Sequence, residues 1–194
     1  AKLRATPNLV NHSVPFNAEA DSLNCAVLAP DVTPDDEEFD LFVKEIAREM
    51  TQKAGQKCTA IRRARVPTER VDADSAKLKG RRAKTTVGDP RLENVRMGAL
   101  ASKSQQSDVF ERVATLRQGA EVVFGGDAGF APVGEGVAEG AFFQPTLLLA
   151  KDAQNHAAHD VEAFGPVSTL MAYQDLDDAL QLAARGKGSL AGTL

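Results

Sequence analysis

Apolar residues recur at helical spacing over 35–53, where Phe39, Phe42, Val43, Ile46, Ala47 and Met50 share one face of a 3.6-residue period. Acidic residues crowd the first turn of this segment, where the helix dipole favours them, and Gly55 is placed to stop it. Pro67 opens a second predicted helix, over 67–84. A third spans 102–118, with Val109, Phe110, Val113, Ala114 and Leu116 on its apolar side and Gly119 as its cap. The last covers 176–184, with Asp175 as its N-cap. Shorter apolar runs predict strands at 10–16, 24–29, 61–66, 121–124, 142–150 and 168–173. The 61–66 run alternates Arg62, Ala64 and Val66 against Ile61, Arg63 and Arg65. Punctuation lies between these segments: an acidic, Pro-containing loop at 30–36, a turn at Val87-Gly88-Asp89-Pro90, and a Gly-rich exposed loop at 127–140.

From residue 35 onward, strands and helices alternate. This predicts an α/β fold in three layers, a mostly parallel sheet flanked by helices. In such sheets, reactive groups are expected at the carboxyl ends of the strands.

Composition narrows the function classes. The chain has 194 residues, 43% hydrophobic and 26% charged, which suits one domain with a sizeable core. It has no Trp, one Tyr and a net charge of −4, which argues against a nucleic-acid partner. No apolar run approaches the ~20 residues of a membrane span, and no signal peptide is visible. Two distant cysteines exclude a disulfide framework and a multi-Cys zinc site, and fit a reduced, cytoplasmic setting. With no initiator Met and an apolar tail, both ends read as cuts inside a longer protein.

The candidate chemistry centres on Gly55-Gln56-Lys57-Cys58. A thiol in a Gly-hinged turn beyond a helix end, with Lys57, Arg62 and Arg63 nearby, is a setting for a stabilised and reachable thiolate. The ordinary alternative is a buried small hydrophobe, and that reading suits Cys25, inside an apolar strand. A thiol nucleophile needs a base, and Glu19 and Asp21 stand just before the strand carrying Cys25, although from the residues alone both read as solvated loop carboxylates. His12 lies alone in an early predicted strand. His156 and His159 have i, i+3 spacing but no third ligand, so they read as surface residues and no metal is expected. Glu162-Ala163-Phe164-Gly165-Pro166-Val167 makes a rigid turn that can hold an acid and a ring beside a ligand.

Taken in order, Gly55-Gln56-x-Cys58, Arg63, Val87-Gly88-Asp89-Pro90, Gly125-Gly126, the run from Gly140 to Pro145-Thr146, and Glu162-x-Phe164-Gly165-Pro166-Val167 resemble the NAD(P)-dependent aldehyde dehydrogenases. The resemblance covers nearly the whole chain. Glu19-Ala20-Asp21-Ser22-Leu23-Asn24 and the acidic insertion at 31–40 resemble the phenylacetate-degradation branch, in which a hydratase-like domain shares the polypeptide. The resemblance implies roles. Cys58 matches the nucleophile that forms a thiohemiacetal and then a thioester. Glu19 matches the general base, and Glu162 and Phe164 match residues contacting the nicotinamide ribose region of NADP or NAD. Gln105 falls near the nucleotide ribose. It also implies a semialdehyde substrate linked to coenzyme A, and a homodimer or higher homo-oligomer.

Some positions depart from the family pattern. Glu19-Ala20-Asp21-Ser22 stands where most members carry Glu-Leu-Gly-Gly, and an ungapped alignment on Ser22 and Asn24 puts Asn17 at the base position instead. Val161 replaces a second Glu. The Gly-x-Thr-Gly-Ser nucleotide loop and the carbonyl-polarising Asn belong to the family's preceding domain, so 1–194 is expected to be a catalytic-domain fragment that binds cofactor poorly alone. Two other classes stay open: a non-redox acyl-transfer or thioesterase-like cysteine enzyme, and a non-catalytic dimerisation scaffold.

Overall fold

A computed structural model describes residues 3–17, 20, 22–82, 85–126, 129–154 and 156–194. Helices α1 (Pro7–Asn11), α2 (Glu37–Thr51), α3 (Val71–Arg82), α4 (Lys103–Arg117) and α5 (Leu176–Ala184) surround one sheet. Its strands are β1 (Cys25–Val27), β2 (Arg63–Pro67), β3 (Ala120–Phe124), β4 (Thr146–Ala150), β5 (Val167–Tyr173) and β6 (Gly192–Thr193), in the order β3-β4-β5-β2-β1-β6. Among the described residues, only the β3–β4 strand pair is antiparallel. This is the expected three-layer, mostly parallel α/β architecture. Among the described residues, no helix is long and apolar enough to cross a membrane.

Side-chain alternation along the strands divides the core between two faces. Ala26, Ala64, Val66, Leu147 and Leu170 pack against Phe39, Val43, Ile46 and Met50 of α2 and Leu78 of α3. On the other face, Leu148, Ala150, Val167 and Met171 meet Val109, Val113 and Leu116 of α4. Val27 and Tyr173 meet Ala179 and Leu182 of α5. On α4, Phe110 and Ala114 stay exposed, although Phe110 meets Phe143 with tilted rings whose centroids are 4.8 Å apart.

Four expectations are corrected. The 10–16 stretch is no strand. Thr6-Pro7 starts the helix α1, which ends at Asn11, and His12 follows at its C-cap. The 142–150 strand begins only at Thr146, since Pro145 has no N–H to donate to a ladder. The alternation read into 61–66 fails at Ile61, which packs with Ala64 and Val66 before the strand begins.

The fourth concerns Arg63, read as a cation near the Cys58 thiol: it and Arg65 are fully buried beneath α5. Arg63 donates to Leu23 O, Leu182 O and Ala183 O, and Arg65 donates to Leu182 O. The last carbonyls of a helix lack intrahelical partners, so the two guanidinium groups cap α5. Burial pushes the Arg63 pKa down to about 10, with Arg65 the next cause.

Candidate active site

The site lies at the amino ends of the parallel strands, not the carboxyl ends expected from sheet topology. Ser22 and Asn24 precede β1, Cys58 precedes β2, and Glu162 and Phe164 precede β5. Because these strands run parallel, the three entering segments meet at one end of the sheet.

Cys58 is exposed in a turn beyond α2. Between the helix and the thiol, Lys53, Ala54 and Gly55 have φ of 52°, 53° and 70°. Three consecutive left-handed residues, two of them non-Gly, reverse the chain at an energetic cost that the surroundings must cover. A Cβ on Gly55 would lie 2.1 Å from Gly165 O. The cysteine loop therefore rests directly on the Phe164-Gly165 turn.

Arg62 fixes that contact from beneath. Its Nε donates to Glu162 Oε1 at 3.0 Å, Nη1 to Gly165 O at 2.8 Å and Nη2 to Gly55 O at 2.8 Å. Burial lowers the Arg62 pKa, and Glu162 opposes that shift. Glu162 Oε2 accepts from Ser22 N at 3.0 Å, and the Arg62 guanidinium carbon sits 5.4 Å from the Phe164 ring centroid.

Asn24 is a second hub. Its amide donates to Cys58 O at 2.8 Å and Ala60 O at 3.1 Å. Its carbonyl accepts from Ser22 Oγ, Leu190 N and Ala191 N at 2.8–2.9 Å. The side chain is almost fully buried, and its donors and acceptor are used to tie the Cys58 turn to the 190–191 segment. Sequence reading missed this role. The available signal was a polar Ser-x-Asn pair entering an apolar strand.

Cys58, Glu162, Phe164 and Gln105 line one cleft of about 360 Å³, together with Ala20, Ser22, Asp108 and Arg112. Gln105 belongs to α4, whose N-cap Ser102 accepts from Gln105 N, and its side chain donates to Phe164 O at 2.9 Å. Glu19 and Asp21 lie outside the described residues, although their neighbours Ala20 and Ser22 line this cleft.

The three cations near Cys58 are engaged elsewhere, which corrects the thiolate-stabilising reading. Lys57 Nζ sits 2.6 Å from Glu49 Oε1 and donates to Gln52 Oε1 at 2.9 Å. Arg62 is neutralised by Glu162, and Arg63 caps α5. Cys25 is buried in β1, as expected.

The histidines are also corrected. His156 and His159 are buried, not on the surface. His156 Nδ1 accepts from Ala158 N, leaving Nε2–H to donate to Leu116 O at 2.9 Å. His159 Nδ1 faces Arg63 Nη1 at 3.0 Å, so Nδ1 accepts and Nε2–H donates to Ala153 O. Burial, opposed by the Ala153 bond and aided by nearby arginines, lowers the His159 pKa to about 4. Neither lines the Cys58 cleft, so neither is placed as a base for a non-redox thiol enzyme.

A thiol, a buried carboxylate and an exposed ring thus meet in one cleft on a mostly parallel α/β scaffold. A profile of the aldehyde dehydrogenase family matches residues 15–194, and the chain belongs to that family. It is 52% identical over 195 aligned residues to a 3,4-dehydroadipyl-CoA semialdehyde dehydrogenase of Aromatoleum evansii, covering 100% of this chain and 38% of that protein. It superposes on a Mycobacterium tuberculosis aldehyde dehydrogenase solved with NAD+ (TM-score 0.71, 26% identity, 89% of this chain and 33% of the other). A Pseudomonas syringae aldehyde dehydrogenase variant solved with NAD+ and octanal is also similar (TM-score 0.67, 26% identity, 85% and 32% covered). The chain thus spans a little over a third of the curated relative's length.

Proposed function

We propose that the protein carrying this chain oxidises a semialdehyde linked to coenzyme A to its carboxylic acid, using NADP or NAD, in the cytoplasm and as a homo-oligomer. In this reading 1–194 is the catalytic-domain portion. The observation that carries it is the meeting of Cys58, Glu162, Phe164 and Gln105 in one cleft. The substrate class rests on the named activity of the Aromatoleum relative.

The residues present fit a nicotinamide ribose. Glu162 offers a held carboxylate, Phe164 a partly exposed ring, and Gln105 a side chain that braces the Phe164 carbonyl. When bound, the nicotinamide supplies a hydride acceptor.

The chain's own chemistry starts with the Cys58 thiolate. It adds to the aldehyde carbon, forming a C–S bond and an alkoxide, the thiohemiacetal. Loss of hydride from that carbon restores the carbonyl as a thioester on Cys58. Water, deprotonated by Glu19 acting as general base, attacks the thioester carbon, and the C–S bond breaks to release acid and thiolate. Asn24 and Arg62 hold the turn that presents the sulfur. In this reading the Cys58 N–H is one donor to the developing oxyanion.

A Cys58→Ala variant of the native full-length protein tests this reading. Aldehyde oxidation should fall by about 10³-fold or more, as when a nucleophile is removed. Unchanged oxidation would favour the scaffold reading.

A further inference from the structure

We propose that a second, cation-lined cleft, between the end of α2 and residues 96–101, binds the phosphorylated nucleotide end of the coenzyme A-linked substrate. This rests on the reading above, that the aldehyde at Cys58 is carried on coenzyme A. The cleft measures about 560 Å³ and is lined by Arg48, Lys53 and Arg96, with no carboxylate in its wall. That volume falls in the ordinary range for small-molecule sites, about 300–1,000 Å³. In a chain of net charge −4, three cations without an acid form a local reversal of the overall charge.

The cations differ in how they are held. Arg48 reaches Glu45 at a long 3.5 Å in an exposed pair, the kind that contributes little. One Nη1 of Arg96 donates to Glu93 O, leaving the rest of its fork to offer. Lys53 has no side-chain partner among the described residues. Its backbone is left-handed, as is that of Ala54, so the chain accepts strain at the point where this lysine joins the cleft wall. Such outliers concentrate at ligand sites.

Position supplies the link to Cys58. Gln56 lines the cationic cleft, and Cys58, two residues on, lines the cleft with Glu162 and Phe164. The two clefts share no lining residue, and segment 56–58 contributes one residue to each. Gln56 closes the wall by accepting from Ala101 N at 2.9 Å. With the cofactor on the Phe164 side, the other side is left for the bulky end of the substrate. Coenzyme A ends in a pyrophosphate and a ribose 3′-phosphate. Guanidinium and ammonium groups bind such oxygens by charge-assisted hydrogen bonds.

NADP also carries a ribose phosphate and a pyrophosphate, so the test separates the two sources. In the native full-length protein, a Lys53→Ala/Arg96→Ala double variant is compared with wild type. Calorimetric titration with free coenzyme A should show binding weakened about 10-fold or more, the scale of losing charged hydrogen bonds. The kcat/KM ratio of the coenzyme A-linked semialdehyde over octanal should fall by about as much, through KM. Dephospho-coenzyme A should bind wild type more weakly than coenzyme A. Equal coenzyme A affinity in both proteins would overturn the proposal. So would a rise in the NADP KM with the aldehyde ratio unchanged, which would assign the cations to the cofactor. The binding titration reads the cleft without turnover, so its failure is distinguishable from a failure of the Cys58 chemistry.

Discussion

Arg62 Nε lies 3.0 Å from Glu162 Oε1, with both side chains about 95% buried, and this pair ties the cysteine loop to the Phe164 turn across 100 residues of sequence. Removing one member leaves the other charge buried and under-paired. Arg62→Ala should therefore cost about 3–5 kcal/mol of stability in urea unfolding. Replacing both residues by Met and Leu should cost clearly less than the two single changes summed, because no orphaned charge remains. An Arg62→Ala loss below about 1 kcal/mol would show that the pair is not what holds the loop.

Gly55 and Gly80 should respond oppositely to alanine. Gly55 has φ 70° and no room, with Gly165 O 2.1 Å from the missing Cβ. Gly55→Ala should lose about 3 kcal/mol or more, or fail to give soluble protein. Gly80 lies within α3 with nothing within 4 Å of its missing Cβ. Gly80→Ala should gain about 0.5–1 kcal/mol from helix propensity. The thermal midpoints of the two variants, measured together, check the contrast.

His159 gives a pH signature. Its folded pKa, about 4, lies below its ordinary 6.5, so the unfolded chain binds more protons between those values. Stability therefore rises with pH through that window, is fully present above 6.5, and is lost as pH falls toward 4. A His159→Gln variant should be less stable at pH 7 and show a shallower decline from pH 6.5 to 4.5 than wild type. Denaturant midpoints at half-unit intervals measure it, and identical slopes would contradict it.

The parts of the fold set by local pattern were readable in the chain. The apolar stripe of α2, the 102–118 helix α4 and the Asp175 cap of α5 all depend on neighbours within a few residues. The Asp175 carboxylate accepts from Asp178 N at 2.8 Å, three residues on. The short strand β6 was not readable, because a two-residue strand is defined only by its partner β1. The buried arginines were equally hidden, since Arg63 is made tolerable by carbonyls about 120 residues away. For the candidate site, family resemblance singled out Cys58, Glu162, Phe164 and Gln105, and in the structure these four line one cleft. What nearby charges do was not legible. Lys57 is next to Cys58 in sequence, yet its ammonium belongs to Glu49 on α2. Asn24 escaped notice because its partners come from the Cys58 turn and the Leu190-Ala191 tail.

The central claim is that Cys58 carries the substrate as a thioester. The direct test is acid quench of the native full-length protein during turnover of the coenzyme A-linked semialdehyde with NADP, followed by mass spectrometry of its peptides. The acyl mass is expected on the peptide containing Cys58, and should disappear in Cys58→Ala. Acid product accumulating with no adduct at Cys58, or with the adduct on Cys25, would contradict it.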